Sequence, residues 1–335
     1  MRGIAIFAVV LGHTLRNATM VYPWLYCFHV PMCVYISGLV FSRRQICFSQ
    51  FLKKKITSLM VPYYCFAILS ILLYAILGNY MEKSIGGGGY NLTLKDSICG
   101  MLYANAGSGL MRWNMPLWYI PMMFVLLIAA YFIYARNMST KYGMLIFAVS
   151  IILGVLCYSI INLDGLPFGC ETAIYLFPFF ALGMVVKHFI PKIENAHWYI
   201  RILTGAILIV LGTVLSPANG QISYNADYYG NNGYMYFVLT AICLITGFTL
   251  CVSVFRNGVA CIDYVGRNTM PIMLMHKFPI LFFVGVLGMT KRLVNSFPLC
   301  GSIIVAICSV GLSCVAAEII YRILPWMLGK EGRLR

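Results

Sequence analysis

Residues 143–162 read GMLIFAVSIILGVLCYSIIN, twenty positions without one Asp, Glu, Lys or Arg, with Lys141 just ahead of them. At 1.5 Å per residue, a helix of that length is about 30 Å long, the thickness of the hydrocarbon core of a bilayer. Comparable apolar runs recur along the chain: near 3 to 20, 24 to 42, 56 to 78, 116 to 135, 171 to 189, 200 to 216, 234 to 254, 268 to 289 and 299 to 324. With 143 to 162 that makes about ten spans. The expected fold is all-α, a polytopic integral membrane helix bundle with about ten transmembrane helices in a single domain, 1–335.

Composition agrees with that expectation. The hydrophobic set makes up 61% of the chain, charged residues only 10%, and the mean hydropathy is +0.86. A soluble domain carries about a quarter charged residues, so no aqueous fold could hide this much apolar surface. The net charge of +15 comes from cations in short clusters between apolar runs, which argues for topology signals and against a nucleic-acid partner. Most of the thirteen cysteines, among them Cys33, Cys65, Cys157, Cys243, Cys308 and Cys314, lie inside apolar runs and read as small buried hydrophobes. No Cys, His or carboxylate cluster has ligand spacing, so no metal is expected. The first apolar run lacks a charged lead and a small-residue cleavage site, and is read as a retained span.

Lys and Arg in the loops set the orientation, because cytoplasmic loops carry the excess. With both termini inside, 17 of the 24 basic residues fall on the cytoplasmic side, including Arg2, the cluster Arg43 to Lys55, Arg136, Lys141, Lys187, Lys192, Arg201, Arg256, Arg267 and Arg322. The remainder, Arg16, Lys83, Lys95, Arg112, Lys277, Lys291 and Arg292, fall outside or in outer half-spans. Two outer loops are long, Asn79 to Met115 with its Gly86 to Gly89 run, and Pro217 to Gly233, but neither could hold a catalytic domain. Trp24, Tyr63, Tyr64, Trp198, Tyr199 and Trp326 stand at helix ends, where an aromatic belt belongs.

An ionisable group within the hydrocarbon costs about 2.5 to 3.5 kcal/mol, so each needs a partner or a task. His13 lies eleven residues after Arg2, roughly 16 Å along the first helix and near mid-membrane. His29 lies early in the second helix, about 8 Å below the outer surface. Little more than Tyr22 and Pro23 separates the two helices, so a tight hairpin should bring both imidazoles to one cavity. Taken alone, either is more often a satisfied hydrogen-bonding residue than a catalyst. Glu171, at the outer mouth of the sixth span, could orient His13 or bind sugar hydroxyls, although a helix-start carboxylate is stabilising by itself. Trp118 and Tyr119 offer an aromatic platform or an interface anchor. His276 and Lys277, near the middle of the ninth span, read as cavity lining, since a Lys there must snorkel or meet a polar space.

Five segments carry a family resemblance: RGIAIFAVVLGHT (2–14), FHVPMCVYISGLVF (28–41), FLKKKITSLMVPYY (51–64), LWYIP (117–121) and YVGRNTMPIMLMH (264–276). In this order they resemble the bacterial membrane-bound acyltransferase family 3, whose members O-acylate sugars and glycopolymers. The nearest likeness is to the small glycan O-acetylases (fucose 4-O-acetylase-like) that lack an appended hydrolase-like domain. The family's Arg-x10-His pattern is met by Arg2 and His13, which implies His13 as general base and Arg2 as a contact for an anionic donor. The basic pair before the third helix is met only by Lys55, with Ser58 in the second place, so Lys53 or Lys54 would substitute. Members carry a short lead before the Arg-Gly, which implies residues upstream of Met1.

The resemblance thus implies an O-acyltransferase with acetyl-CoA (acyl-CoA) as co-substrate, no bound cofactor, a carbohydrate or glycolipid acceptor and a place in the cell (inner) membrane. His13, His29 and Glu171 are the expected catalytic residues, and Arg2, Lys54 and Lys55 the donor contacts. Trp118, Tyr119, His276 and Lys277 would line the acceptor cavity. His29 or a tyrosine hydroxyl would face the oxyanion. A glycan or lipid-precursor transporter is the rival, weakened because no internal repeat with matching Gly or Pro breaks is found. A structural subunit of an envelope assembly is a third reading.

Overall fold

The computed structural model describes residues 1–15, 20–42, 46–85, 92–134, 139–255, 258–283, 294 and 296–329. Arg16, Arg43, Arg44, Gly86 to Gly89, Arg136, Arg256, Lys291, Arg292, Lys330, Arg333 and Arg335 lie outside the described residues. The chain is a helical bundle, and its extended pairing among the described residues is one isolated bridge between Ser223 and Tyr228.

In chain order the helices are α1 (Arg2–Thr14), α2 (Val21–Val40), α3 (Phe48–Lys55), α4 (Val61–Ile85), α5 (Leu94–Tyr103), α6 (Tyr119–Ile133) and α7 (Thr140–Leu156). They continue as α8 (Cys170–Asn195), α9 (Trp198–Asn219), α10 (Gly233–Val252), α11 (Ala260–Arg267), α12 (Thr269–Met275), α13 (Lys277–Leu281) and α14 (Pro298–Ile323). Eight stretches among the described residues are long and apolar enough to cross a membrane: Val21–Val40, Phe48–Gly78, Arg112–Ile133, Thr140–Ile161, Pro167–Asn195, Trp198–Asn219, Gly233–Val252 and Pro298–Ile323. They coincide with eight of the ten expected spans.

The other two spans depart from expectation. The first is the 13-residue α1, whose chain turns extended at Leu15 (φ −71°, ψ 141°), so its helix covers about 20 Å of a core roughly 30 Å thick. The ninth is no continuous helix: it is α11, α12 and α13 in series, broken at Asn268 and again at His276. Pro279 explains the second break, because it has no N–H for the carbonyl of Met275 and its ring crowds that carbonyl. His276 and Lys277 therefore stand at a helix junction.

Burial separates an inner from an outer ring. The span at α2 is the most buried, and α6 and α8 follow it closely, whereas α7 and α9 present Leu145, Val149, Ile152, Leu203, Ile207, Val210 and Val214 outward. Such faces suit lipid, which solvates apolar side chains as well as the interior does. α2 and α8 meet through glycine: a Cβ on Gly38 would stand 2.1 Å from the Phe180 oxygen, and one on Gly183 2.2 Å from the Tyr35 oxygen. Close backbone approach of this kind is how helices pack where lipid weakens the hydrophobic drive.

Both long loops fold over one end of the bundle. A capping box at Thr93 and Asp96 starts α5, and 3-10 turns then lead through Arg112–Trp118 into α6. In the second loop, Asn219 holds the hairpin shut by donating to the Tyr229 oxygen (2.8 Å) and accepting from the Asn232 N–H (3.1 Å). Of the expected belt, Trp198, Tyr199 and Trp326 are exposed, but Tyr63 is fully buried and donates to the Met101 oxygen (2.8 Å), tying α4 to α5.

Candidate active site

The last turn of α1 and the first half of α2 open onto a cavity of about 210 Å³ beneath the two loops. His13, His29, Tyr22 and Tyr26 form its helical wall; Met115, Pro116 and Trp118 enter from one loop and Ile222 to Asn225 from the other. His13 and His29 thus share one space. The loops are anchored there: Tyr224 donates to the Tyr26 oxygen, and Trp118 is buried and stacked on Tyr224 with ring centroids 6.2 Å apart. Trp118 is a cavity wall and not an exposed interface anchor.

Hydrogen bonding assigns the histidine tautomers. His29 Nδ1 lies 2.7 Å from the Leu25 oxygen, and His276 Nδ1 2.8 Å from the Ile272 oxygen, so both carry their proton on Nδ1. Each Nε2 is then a bare acceptor. His29 in this form accepts a hydrogen bond and cannot donate one to an oxyanion. His276 is fully buried with Nε2 unpartnered among the described residues, and its ring lies 5.1 Å from that of His13. His13 itself makes no such carbonyl bond among the described residues, and His276, Lys277 and His29 are within electrostatic reach of it.

A second cavity, about 290 Å³, opens at the opposite end of α1. Arg2 and Arg267, both exposed, edge it, and Cys33, Ile36, Ser37, Leu59, Met123, Met270 and Met273 carry it inward. Glycines bring the two cations together: a Cβ on Gly3 would sit 2.2 Å from the Ile262 oxygen, and one on Gly266 3.0 Å from the Gly3 nitrogen. The Arg-Gly pair that opens α1 and the Gly-Arg pair that ends α11 are therefore one packing contact. Tyr119 and Met273 line this cavity and the His13 cavity alike.

Other expected residues stand elsewhere. Lys54 is exposed, Lys55 lies over the Phe51 ring at 5.4 Å, and neither lines the cavity whose wall includes Leu59, one turn further on. Glu171 is buried but outside the His13 cavity: it accepts from Asn105 Nδ2 (2.6 Å) and the Leu166 N–H (3.2 Å), stitching the loops to the start of α8. Beside it Asp227, in the second loop, accepts from the Thr172 hydroxyl (3.1 Å), and burial together with the Glu171 carboxylate pushes its pKa up to about 7. Neither His276 nor Lys277 lines either cavity; His276 lies behind the wall, against the His13 ring. Arg267, Met273, Tyr26 and Tyr224 are site-lining residues that sequence reading did not single out. The first two lie inside the 264–276 segment, so a signal was present for them. For Tyr26 and Tyr224 there was none beyond the abundance of tyrosine.

A bundle of membrane-length helices enclosing a histidine cavity at one end and a cation-edged cavity at the other fits an enzyme that works on two substrates within the membrane. Residues 1–318 match the acyltransferase domain of the acyltransferase-3 family, and the chain belongs to that family: it is a membrane acyltransferase. No curated protein and no solved structure matches it.

Proposed function

We propose that the protein transfers an acyl group, acetyl in the first instance, from acyl-CoA to a hydroxyl of a sugar or cell-envelope glycan. One observation supports this above the others: a cavity edged by Arg2 and Arg267 and a cavity containing His13 and His29 meet at a common wall of Tyr119 and Met273. Guanidinium groups suit the phosphates of coenzyme A, and an imidazole suits removal of a hydroxyl proton. With the basic end facing the cytoplasm, as the loop cations favour, the donor would enter from inside and the glycan from outside.

In this mechanism the glycan hydroxyl lies against Trp118 and Tyr224 and donates toward His13, with the bare Nε2 of His29 accepting from a neighbouring sugar hydroxyl. His13 takes the proton as the hydroxyl oxygen attacks the thioester carbonyl, forming the new C–O bond. Collapse of the tetrahedral intermediate breaks the C–S bond, and the proton on His13 goes to the leaving thiolate. The Tyr119 hydroxyl, on the common wall, would donate to the oxyanion, an interaction commonly worth about 3 kcal/mol or more. Membranes expressing the wild-type chain should move radiolabelled acetyl from acetyl-CoA into glycan, and His13→Ala should lower that rate by about 10²–10⁴-fold. Equal labelling by both would remove His13 from the chemistry. No labelling by either, across several acceptor preparations and with expression confirmed, would refute the acetyl-CoA reading.

A further inference from the structure

We propose that Met273 is the movable gate between the two cavities and the residue that limits the length of the transferred acyl chain. The proposal rests on the acyltransferase reading above and adds to it a specificity determinant. Tyr119 and Met273 are the residues common to the two cavity walls, so whatever reaches His13 from the Arg2 side must pass between them.

The two are not equally free to move. Tyr119 opens α6 directly after the buried Trp118, against which its ring sits edge-on at 6.1 Å, and its hydroxyl faces Ser37 and Cys33 of α2. A tyrosine pinned at both ends of its ring has little room to swing. Met273 has three side-chain torsions and a polarisable thioether that adapts to irregular space. It is 4% exposed, so in the closed arrangement it fills the passage. Its helix, α12, is only seven residues long and is broken from its neighbours on both sides, at Asn268 and at His276. Met123 and Met270 line the donor cavity too, so the approach to the gate is soft on more than one side.

The position of Met273 relative to the chemistry turns a gate into a ruler. His276 follows three residues later, on the same face of the helical turn, and its ring lies 5.1 Å from His13. A thioester carbonyl close enough to be attacked by a hydroxyl bound at His13 therefore places its acyl tail against Met273. Acetyl adds one methyl beyond the carbonyl; each further methylene competes with the Met273 side chain for the same space. Met273→Ala removes three heavy atoms, Cγ, Sδ and Cε, and so makes room for up to about three more acyl carbons. Met273→Phe puts a rigid ring across the passage.

The test is acyl transfer measured with acetyl-, butyryl- and hexanoyl-CoA in membranes of the wild type, Met273→Ala, Met273→Val and Met273→Phe. Retention of a single species in detergent gel filtration serves as the fold check. The expected result is that the butyryl-to-acetyl rate ratio rises about tenfold or more in Met273→Ala and by less in Met273→Val, one extra methylene in an apolar pocket being commonly worth that much. Met273→Phe should lower acetyl transfer about tenfold while coenzyme A still competes at the Arg2 mouth. Met144→Ala, on the outward face of α7, should keep the wild-type ratio. An active wild type whose ratio is the same in all folded Met273 variants overturns the gate and leaves the acyltransferase reading standing. A wild type that transfers none of the three acyl groups overturns both.

Discussion

Gly3→Ala tests the link between packing and donor binding. The added methyl would stand 2.2 Å from the Ile262 oxygen and 2.8 Å from Ile262 Cγ2. Carbon and oxygen sit comfortably at about 3.3 Å, so α1 and α11 must part by about 1 Å. Neither obstacle is the far end of a long side chain: one is backbone and the other a branch at Cβ. Overpacking of this kind typically costs about 1–3 kcal/mol, within reach of a folded membrane bundle. What moves is the pairing of Arg2 with Arg267, since these cations flank the contact on their respective helices. His13 is shielded from the shift because Thr14, next to it, is tied to α14 through its hydroxyl and the Ser302 oxygen (3.0 Å). The expected effect is thus a rise in KM for acyl-CoA of about 10- to 100-fold, the scale set by misplacement of roughly 1 Å, with kcat changed much less. The assay is a donor titration at saturating acceptor in membranes matched for expression. Gly311→Ala is the control, because its Cβ would meet nothing within 4 Å. A Gly3→Ala protein with wild-type donor KM would refute the claim that this contact positions the cations.

Asp227 makes stability depend on pH. Burial first, and then the Glu171 carboxylate, push its pKa from the ordinary 3.8 up to about 7, so the folded protein keeps a proton that the unfolded chain releases. Stability should therefore fall as pH rises from about 4 to 7 and stay level above that. Asp227→Asn should melt higher than wild type at pH 8 by about 1–2 kcal/mol of stability, after allowance for solvent screening, and alike at pH 4. Equal melting at both pH values in detergent would remove the proton from Asp227. Trp118→Ala should raise KM for the glycan acceptor about three- to tenfold through loss of the ring face, leaving donor KM in place. A rise in both constants would show that Trp118 holds the fold and does not contact the sugar.

Much of the fold is legible in the sequence because a bilayer imposes so few solutions. Any apolar run near twenty residues must satisfy its backbone internally and so becomes a helix. Eight of the expected spans are present at membrane length, and the hairpin of α1 and α2 sets His13 and His29 around one cavity. The misreadings have physical causes. Hydropathy sees apolar character but not continuity, so neither the break before Pro279 nor the early end of α1 shows in it. For Glu171 the sequence leaves a catalytic and a helix-start role equally open, and the structure has it accept from Asn105 and Leu166. Tyr224 was invisible because a loop's contribution to a cavity depends on how it folds back. Here that is settled by Asn219 and by the bond from Tyr224 to the carbonyl of Tyr26.

The departures of α1 and the ninth span from straight helices bear on the chemistry. His29, His188 and His276 each engage the carbonyl four residues back through Nδ1, which fixes a tautomer and satisfies a polar ring inside a helix. His13 escapes that arrangement. It lies in the last turn of α1, one residue before the end of the helix, with its ring turned to His276 and to the cavity. A helix C-terminus carries the negative end of the peptide dipole and stabilises a nearby cation by about 0.3–1 kcal/mol, up to about 2 when partly buried. In the proposed mechanism, the imidazolium that proton abstraction would leave on His13 is the cation best placed to benefit. Had α1 continued to residue 20, that end would lie about 9 Å further on and its effect, confined to the last turn, would be lost. Ending the helix at Leu15 thus sets the negative end of its dipole beside the cavity histidine that makes no carbonyl bond of this kind among the described residues.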